Sequence, residues 1–313
     1  MEQGDRRLNQ NTGSAVAAET PDAAPRQPLR RRPLLPWRRP RHVAFSPWLS
    51  APAALFLIAF FVLPLTDNAL RSVASQAAAG ANYLKLLTDP YYLWVIGVTI
   101  ALSAAVTLAS LVLGYPIAYF LVRKAGRWSS LIIFLTVAPL LTSIIMRTFG
   151  WRVLFARRGL LNVLLLDAGW IERPLALLNS PVSVVVGLVH VLVPFMVLSI
   201  ASVLQGINPR LGESARILGA GRMRTFWLVT FPLSLDGIAT GSILVFMLAN
   251  GSFVTLLLLG GGSLQTLPLL IYQQFTTTRD FAFGAAMSNV LLVLALLCLL
   301  LQLVLIRRRG VKT

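Results

Sequence analysis

Six stretches of this chain are apolar for the roughly 20 residues a helix needs to cross about 30 Å of hydrocarbon. They lie at approximately 47–66, 93–122, 128–146, 181–205, 233–258 and 284–306. Inside lipid no water is available to backbone N–H and C=O groups, so a single segment that spans must be an α-helix. The pattern predicts an all-α integral membrane protein with six transmembrane helices. Composition agrees, since 56% of the residues are hydrophobic, 12% are charged and the mean hydropathy is +0.74, too apolar for an ordinary soluble domain. The one cysteine, Cys298, excludes an intramolecular disulfide. Two histidines, His42 and His190, leave almost no material for a His/Cys metal site. No metal and no cofactor is expected in this chain.

A formal charge of +17 would point to nucleic acid in a soluble protein, but here its placement follows topology. The first 46 residues are polar and Arg-rich and the first apolar run is full length, so that run reads as an uncleaved anchor with the N-terminus inside. Six spans then put 20 basic residues on the inner side and 8 on the outer. The inner ones lie in the N-terminal tail, around Arg123, Lys124 and Arg127, in 206–232 and in the C-terminal tail. This positive-inside asymmetry predicts a membrane protein with both termini cytoplasmic and no nucleic-acid partner. The chain divides into a basic tail at 1–46, a transmembrane domain at 47–306 and a second basic tail at 307–313. Arg30, Arg31, Arg32, Arg38, Arg39 and Arg41 are interleaved with Pro25, Pro28, Pro33, Pro36 and Pro40 without any apolar period. That composition reads as disordered and suited to lipid headgroups.

Six spans are shared by channels, carriers, membrane enzymes and pump subunits, and the inner stretch between spans four and five narrows the choice. Asn208 is an N-cap candidate and Pro209 suits the first helical position, so a short helix begins there and ends near Gly219 or Gly221. Leu211, Ala215 and Leu218 fall on one face. Too short to span, the helix lies at the cytoplasmic surface, where it packs on lipid, on its own bundle or on a partner.

The stretch resembles the EAA loop of ABC-importer permeases, which runs Glu-Ala-Ala, three residues, Gly, nine residues, Ile, one residue, Leu-Pro. Glu213-Ser214-Ala215, Gly219, Val229 and Phe231-Pro232 keep every interval, with Ser, Val and Phe standing where the pattern has Ala, Ile and Leu. Further segments resemble the spermidine/putrescine branch: Gly114-Tyr115-Pro116-Ile117-Ala118-Tyr119, Arg147-Thr148-Phe149-Gly150-Trp151, Gly159-Leu160-Leu161-Asn162, and Leu259-Gly260-Gly261-Gly262 with Leu267-Pro268-Leu269-Leu270-Ile271-Tyr272.

That resemblance implies the type I permease fold. It also implies a coupling helix that seats on a cytoplasmic ATPase dimer through Glu213, Ser214, Ala215, Arg216, Gly219, Ala220 and Pro232. The remaining partners it implies are a second permease, an extracytoplasmic solute-binding protein and membrane lipid. The solute it implies is a polyamine, with a different small solute as the alternative; ATP-Mg is then bound by the partner ATPase, and the implied location is a bacterial inner membrane. The chain itself is not an enzyme: no glycine precedes Lys85, Lys124 or Lys312, so no G-x-x-x-x-G-K-[ST] loop exists, and no G-x-S-x-G or H-E-x-x-H motif occurs.

Candidates for the translocation path are Asn250, Ser252 and Phe253, with Thr142 and Ser143 weaker because hydroxyls bond back to their own helix. A buried amide in a membrane needs a partner or a path, so Asn250 faces one or the other. His190 reads as a neutral imidazole with one partner. The outer loops carry 8 basic against 5 acidic residues, an unwelcoming balance for a polycation. Cation selectivity therefore falls to the binding protein and the second permease, aided by aromatic faces here. A secondary carrier or channel is the alternative, and it would need intramembrane charge of its own.

Overall fold

The computed structural model of the protein describes residues 51–52, 55–73 and 80–310. The readings made for the tail at 1–46 and for the last residues, 311–313, lie outside them. Every described element is helical. The chain runs through α1 (Leu55–Val73), α2 (Ala81–Thr88), α3 (Pro90–Arg123) and α4 (Gly126–Leu141), then α5 (Ile144–Phe155), α6 (Leu160–Asp167) and α7 (Pro181–Gly206). It continues through α8 (Pro209–Ile217), α9 (Arg222–Leu233), α10 (Leu235–Asn250), α11 (Val254–Leu259), α12 (Leu267–Gln273) and α13 (Phe281–Gly310).

Three of these helices start with the same device. Asp89, Ser180 and Asn208 each accept a bond from a backbone N–H of the first turn, from Tyr91, Ser183 and Arg210 respectively, and each is followed by proline. The cap meets an orphan donor, and proline supplies the helical φ where its missing N–H costs nothing.

The centre is a three-helix contact of α3, α7 and α10, closed by small residues. A Cβ at Gly114 would sit 3.0 Å from Met196 Cγ, one at Gly241 2.8 Å from Met196 Sδ, and one at Gly237 3.0 Å from the carbonyl of Ser199. Between helices in lipid, packing replaces the hydrophobic drive, so close backbone approach through small residues holds the bundle. Val106, Ala118, Met196, Ile200, Leu204 and Val245 are fully buried there. At the periphery α1 lies on α13, joined by a polar cluster. Asn68 Nδ2 donates to Asn289 Oδ1 at 2.8 Å, and Asn289 Nδ2 donates to Tyr83 OH at 2.9 Å. The far sides of both helices expose leucine and phenylalanine, among them Phe60, Leu70, Leu297 and Leu301, as lipid-facing surfaces do.

Four helices are long and apolar enough to span, α1, α3, α7 and α13, and six spans result if each of two bent pairs counts as one. The runs at 93–122 and 181–205 coincide with α3 and α7. The other boundaries move. In place of 47–66, the first described apolar helix is Leu55–Val73. The run 128–146 is not one helix: α4 stops at Leu141 and the next segment leaves at 97°, because Thr142 and Ser143 adopt extended backbone after Pro139. The run 233–258 is also broken. Its helix begins eleven residues earlier at Arg222, bends 59° at Ser234 and ends at Asn250, with 254–258 in the separate α11.

The close approach at Gly114 makes a controlled test. Gly114→Leu drives a side chain into Met196 and is expected to cost about 1–3 kcal/mol, seen as a lowered melting temperature in detergent. Gly97→Leu on the same helix, where a Cβ meets nothing, should leave the melt unchanged.

Candidate functional site

Helix α8 stands between the two central helices α7 and α10 in the chain and is capped at both ends. Asn208 Oδ1 accepts from Arg210 N at 3.0 Å. At the other end Gly219 has φ +89, its N–H donates to the carbonyl of Arg216 and that of Ala220 donates to the carbonyl of Ala215, each at 3.0 Å. This is the paired bonding of a Schellman stop, which needs a left-handed residue and therefore glycine. The glycine of the loop motif thus has a backbone reason, and open space surrounds its missing Cβ.

Glu213, Ser214, Arg216 and Gly219 are exposed, while Ala215 and Ala220 are half-buried. The face expected from Leu211, Ala215 and Leu218 does not turn inward as a unit. Gly212 lies against Thr225, whereas Ile217 and Leu218 are 86% and 88% exposed. That bare aliphatic end, continued by Met223 and Leu228, escaped the sequence reading. An apolar pair at the last turn of an otherwise polar helix was its available signal.

Behind α8, α9 carries an aromatic cluster into the core. Phe226 meets the rings of Tyr115 and Tyr119 edge-on at 5.7 and 5.6 Å, and Phe231 lies 5.8 Å from Tyr115. Tyr115 OH and Ser234 Oγ are hydrogen-bonded at 3.0 Å, across the 59° bend that follows Pro232. A π turn at Phe226–Thr230 and proline together loosen this segment, and such turns concentrate at functional places.

The path candidates gather around two cavities. The first, about 480 Å³, is bordered by Thr142, Arg147, Ser252, Phe253 and Thr255 with aliphatic neighbours from α7. The second, about 500 Å³, is bordered by Asn250, Phe253, Tyr272 and Ser288 with neighbours from α12 and α13. Ser143 borders neither. Thr142 donates back to Pro139 O at 2.9 Å, as a hydroxyl does when the chain offers a carbonyl. Arg147, read from sequence only as part of a motif, turns out to close the break: its Nη2 donates to Thr142 O at 2.7 Å.

Other motif residues are structural. Asn162 is fully buried and knits two loops, donating to Ala156 O and Leu175 O at 3.1 Å each and accepting from Leu175 N at 2.8 Å. Trp151 Nε1 donates to His190 Nδ1 at 3.1 Å, which places the imidazole proton on Nε2 and leaves the ring neutral.

The chain belongs to the family of binding-protein-dependent transport system inner membrane components, whose model matches residues 48–311. These are multi-pass permease subunits of ABC importers. The chain is 37% identical over 220 residues to the spermidine/putrescine transport system permease protein PotB of Salmonella typhimurium, covering 70% of this chain and 76% of that one. With PotB of Escherichia coli K12 the figures are 37% over 219 residues, 70% and 79%. With the molybdenum transport system permease protein ModB of Mycobacterium bovis they are 30% over 256 residues, 81% and 92%. In structure it is similar to a chain of a bacterial ABC transporter involved in the import of the acidic polysaccharide alginate. The TM-score is 0.69 at 19% identity, over 83% of this chain and 96% of that one.

Substitutions at two positions check the local geometry. Asn162→Ala removes three bonds from a buried position and is expected to cost about 1–3 kcal/mol, measured as a lower melting temperature. Gly219→Val forces a branched residue into the left-handed region, whereas Gly219→Asn tolerates it. Transport should fall far more for valine than for asparagine.

Proposed function

We propose that this permease subunit forms, with a second permease, the translocation path of a polyamine importer, and that α8 couples the path to a cytoplasmic ATPase dimer. In this reading the third and fifth of six spans are the bent pairs, both termini are cytoplasmic, and a solute-binding protein delivers cargo at the outer side. ATP-Mg is bound and hydrolysed by the ATPase subunits.

One observation carries the coupling assignment: a helix capped at both ends that leaves Ile217 and Leu218 bare. An apolar tip of this size at the water side of a membrane protein calls for a groove on a partner. Glu213, Ser214, Ala215, Arg216, Gly219 and Ala220 surround it. The small residues let the surfaces approach, while Glu213 and Arg216 supply polar contacts. Pro232 belongs to the lever behind them. Motion of α8 reaches the core through Phe226, Phe231 and the Tyr115 to Ser234 bond. ATP-driven closure shifts the bundle only in so far as the ATPase grips its two states with different strength.

The solute assignment rests on 37% identity to PotB over most of both chains. The excess of basic over acidic residues in the segments assigned to the outside leaves first capture of a polycation to the binding protein.

Co-purification tests the coupling. Ile217→Asp with Leu218→Asp should abolish recovery of the ATPase from mild detergent, and Glu213→Ala should lower uptake with membrane insertion intact. Normal ATPase recovery and normal uptake in all these variants would overturn the assignment. For the solute, labelled putrescine and spermidine should be accumulated in an ATP-dependent manner by the reconstituted importer and should compete with each other; uptake of neither refutes the polyamine reading.

A further inference from the structure

The two cavities at the end of α10 differ in charge, and the first is bordered by the guanidinium of Arg147. Arg147 Nη1 is buried without an acceptor among the described residues, and the hydroxyl of Thr255, a residue 1% exposed, is likewise unpartnered. The second is bordered by no charged side chain among the described residues. Asn250 is 3% exposed, and its Oδ1 accepts no bond from the described residues. Ser288 already donates its proton to Gly284 O at 2.9 Å, which leaves its lone pairs free. Phe253 and Tyr272 both border it, and their rings stack with centroids 5.1 Å apart and planes at 23°. Gly251 and Phe253 border both cavities, so Phe253 lies between them. Among the described residues no Asp or Glu borders either one.

We propose that the second cavity is an ammonium subsite of the translocation path. The Asn250 carbonyl oxygen and Ser288 Oγ accept N–H bonds from a protonated aliphatic amine, and the Tyr272 and Phe253 rings face its charge. The inference rests on the polyamine reading and gives that reading a location. The chemistry selects a cation for three reasons. An unmet amide oxygen nine-tenths buried among apolar helices is costly unless a donor arrives. Aromatic faces attract ammonium groups through their quadrupole. The guanidinium of Arg147 on the other side of Phe253 repels a cation from the neighbouring cavity and so directs it to this one. A site built of an amide, a hydroxyl and two rings, without a carboxylate, also holds its guest weakly, as a station on a path must if the guest is to leave.

The test uses the whole importer in proteoliposomes, with its binding protein, and labelled putrescine as the probe. Four variants of this chain are compared, Asn250→Leu, Asn250→Asp, Tyr272→Leu and Tyr272→Phe, each first shown to co-purify with the ATPase. Loss of the acceptor or the ring is expected to lower the maximal uptake rate about tenfold in Asn250→Leu and several-fold in Tyr272→Leu. The half-saturating putrescine concentration should stay put, since the binding protein sets it. Asn250→Asp and Tyr272→Phe keep acceptor and ring and should retain uptake, which separates recognition of the amine from mere packing. Asn250→Asp falling as far as Asn250→Leu would overturn the subsite, as would wild-type uptake in all four variants; in either case the polyamine reading stands. A wild-type importer that carries no putrescine removes the polyamine reading and the subsite together.

Discussion

A peptide group in hydrocarbon has to find its hydrogen bond inside the protein, and three breaks in the apolar helices are arranged around that requirement. The chain leaves helical geometry at Thr142–Ser143, at Ser234 and at Gly251–Phe253, and at each place nearby groups take over. Arg147 donates to the carbonyl of Thr142, Ser234 Oγ donates to that of Phe231, and the N–H groups of Gly251 and Ser252 bond back to Met247 and Ala249. Irregular backbone is tolerated at membrane depth only where protein or a cavity covers it. Two of the three breaks border the first cavity, and one of these, Gly251–Phe253, borders the second as well. The same constraint that forbids loops in lipid thus places these breaks beside cavities.

The bends matter because the centre does not yield. Gly114, Gly237 and Gly241 bring α3, α7 and α10 so close that no added Cβ fits without displacing Met196, Ser199 or Ile200. Interfaces packed this tightly move as units, with discrete rearrangements at their ends. Irregular geometry is instead found in α9, with its π turn and Pro232, and in the bend at Ser234. A displacement of α8 meets the core at Tyr115 and Tyr119, through rings whose centroids stand less than 6 Å apart.

Much of this was legible in the residues taken alone. The runs at 93–122 and 181–205 became α3 and α7, and the start of α8 was written in Asn208-Pro209, since a cap and a proline act within one turn of themselves. Other features were hidden for physical reasons. The third run is apolar throughout, and hydropathy does not distinguish a straight helix from two that meet at 97°. Leu218 was placed with Leu211 and Ala215 on one face, and what that face meets stayed open, because a 3.6-residue period reports which residues share a face and not their surroundings. Among the path candidates, Thr142, Ser252, Asn250 and Phe253 do border cavities. Ser143, one position on, does not, and Arg147, Thr255 and Tyr272 joined them only because α5, α10, α11 and α12 converge.

By itself the sequence determined that the chain is a helical membrane bundle, roughly where its helices begin, and that a short capped helix interrupts them. Hydrophobicity and capping are properties of a few consecutive residues. Only the tertiary structure decided where the spans bend, which polar atoms are left unmet and which cavities they border. Those outcomes depend on donors and acceptors finding one another across separations from 5 residues, as for Arg147 and Thr142, to 221, as for Asn68 and Asn289, and no local pattern carries that information.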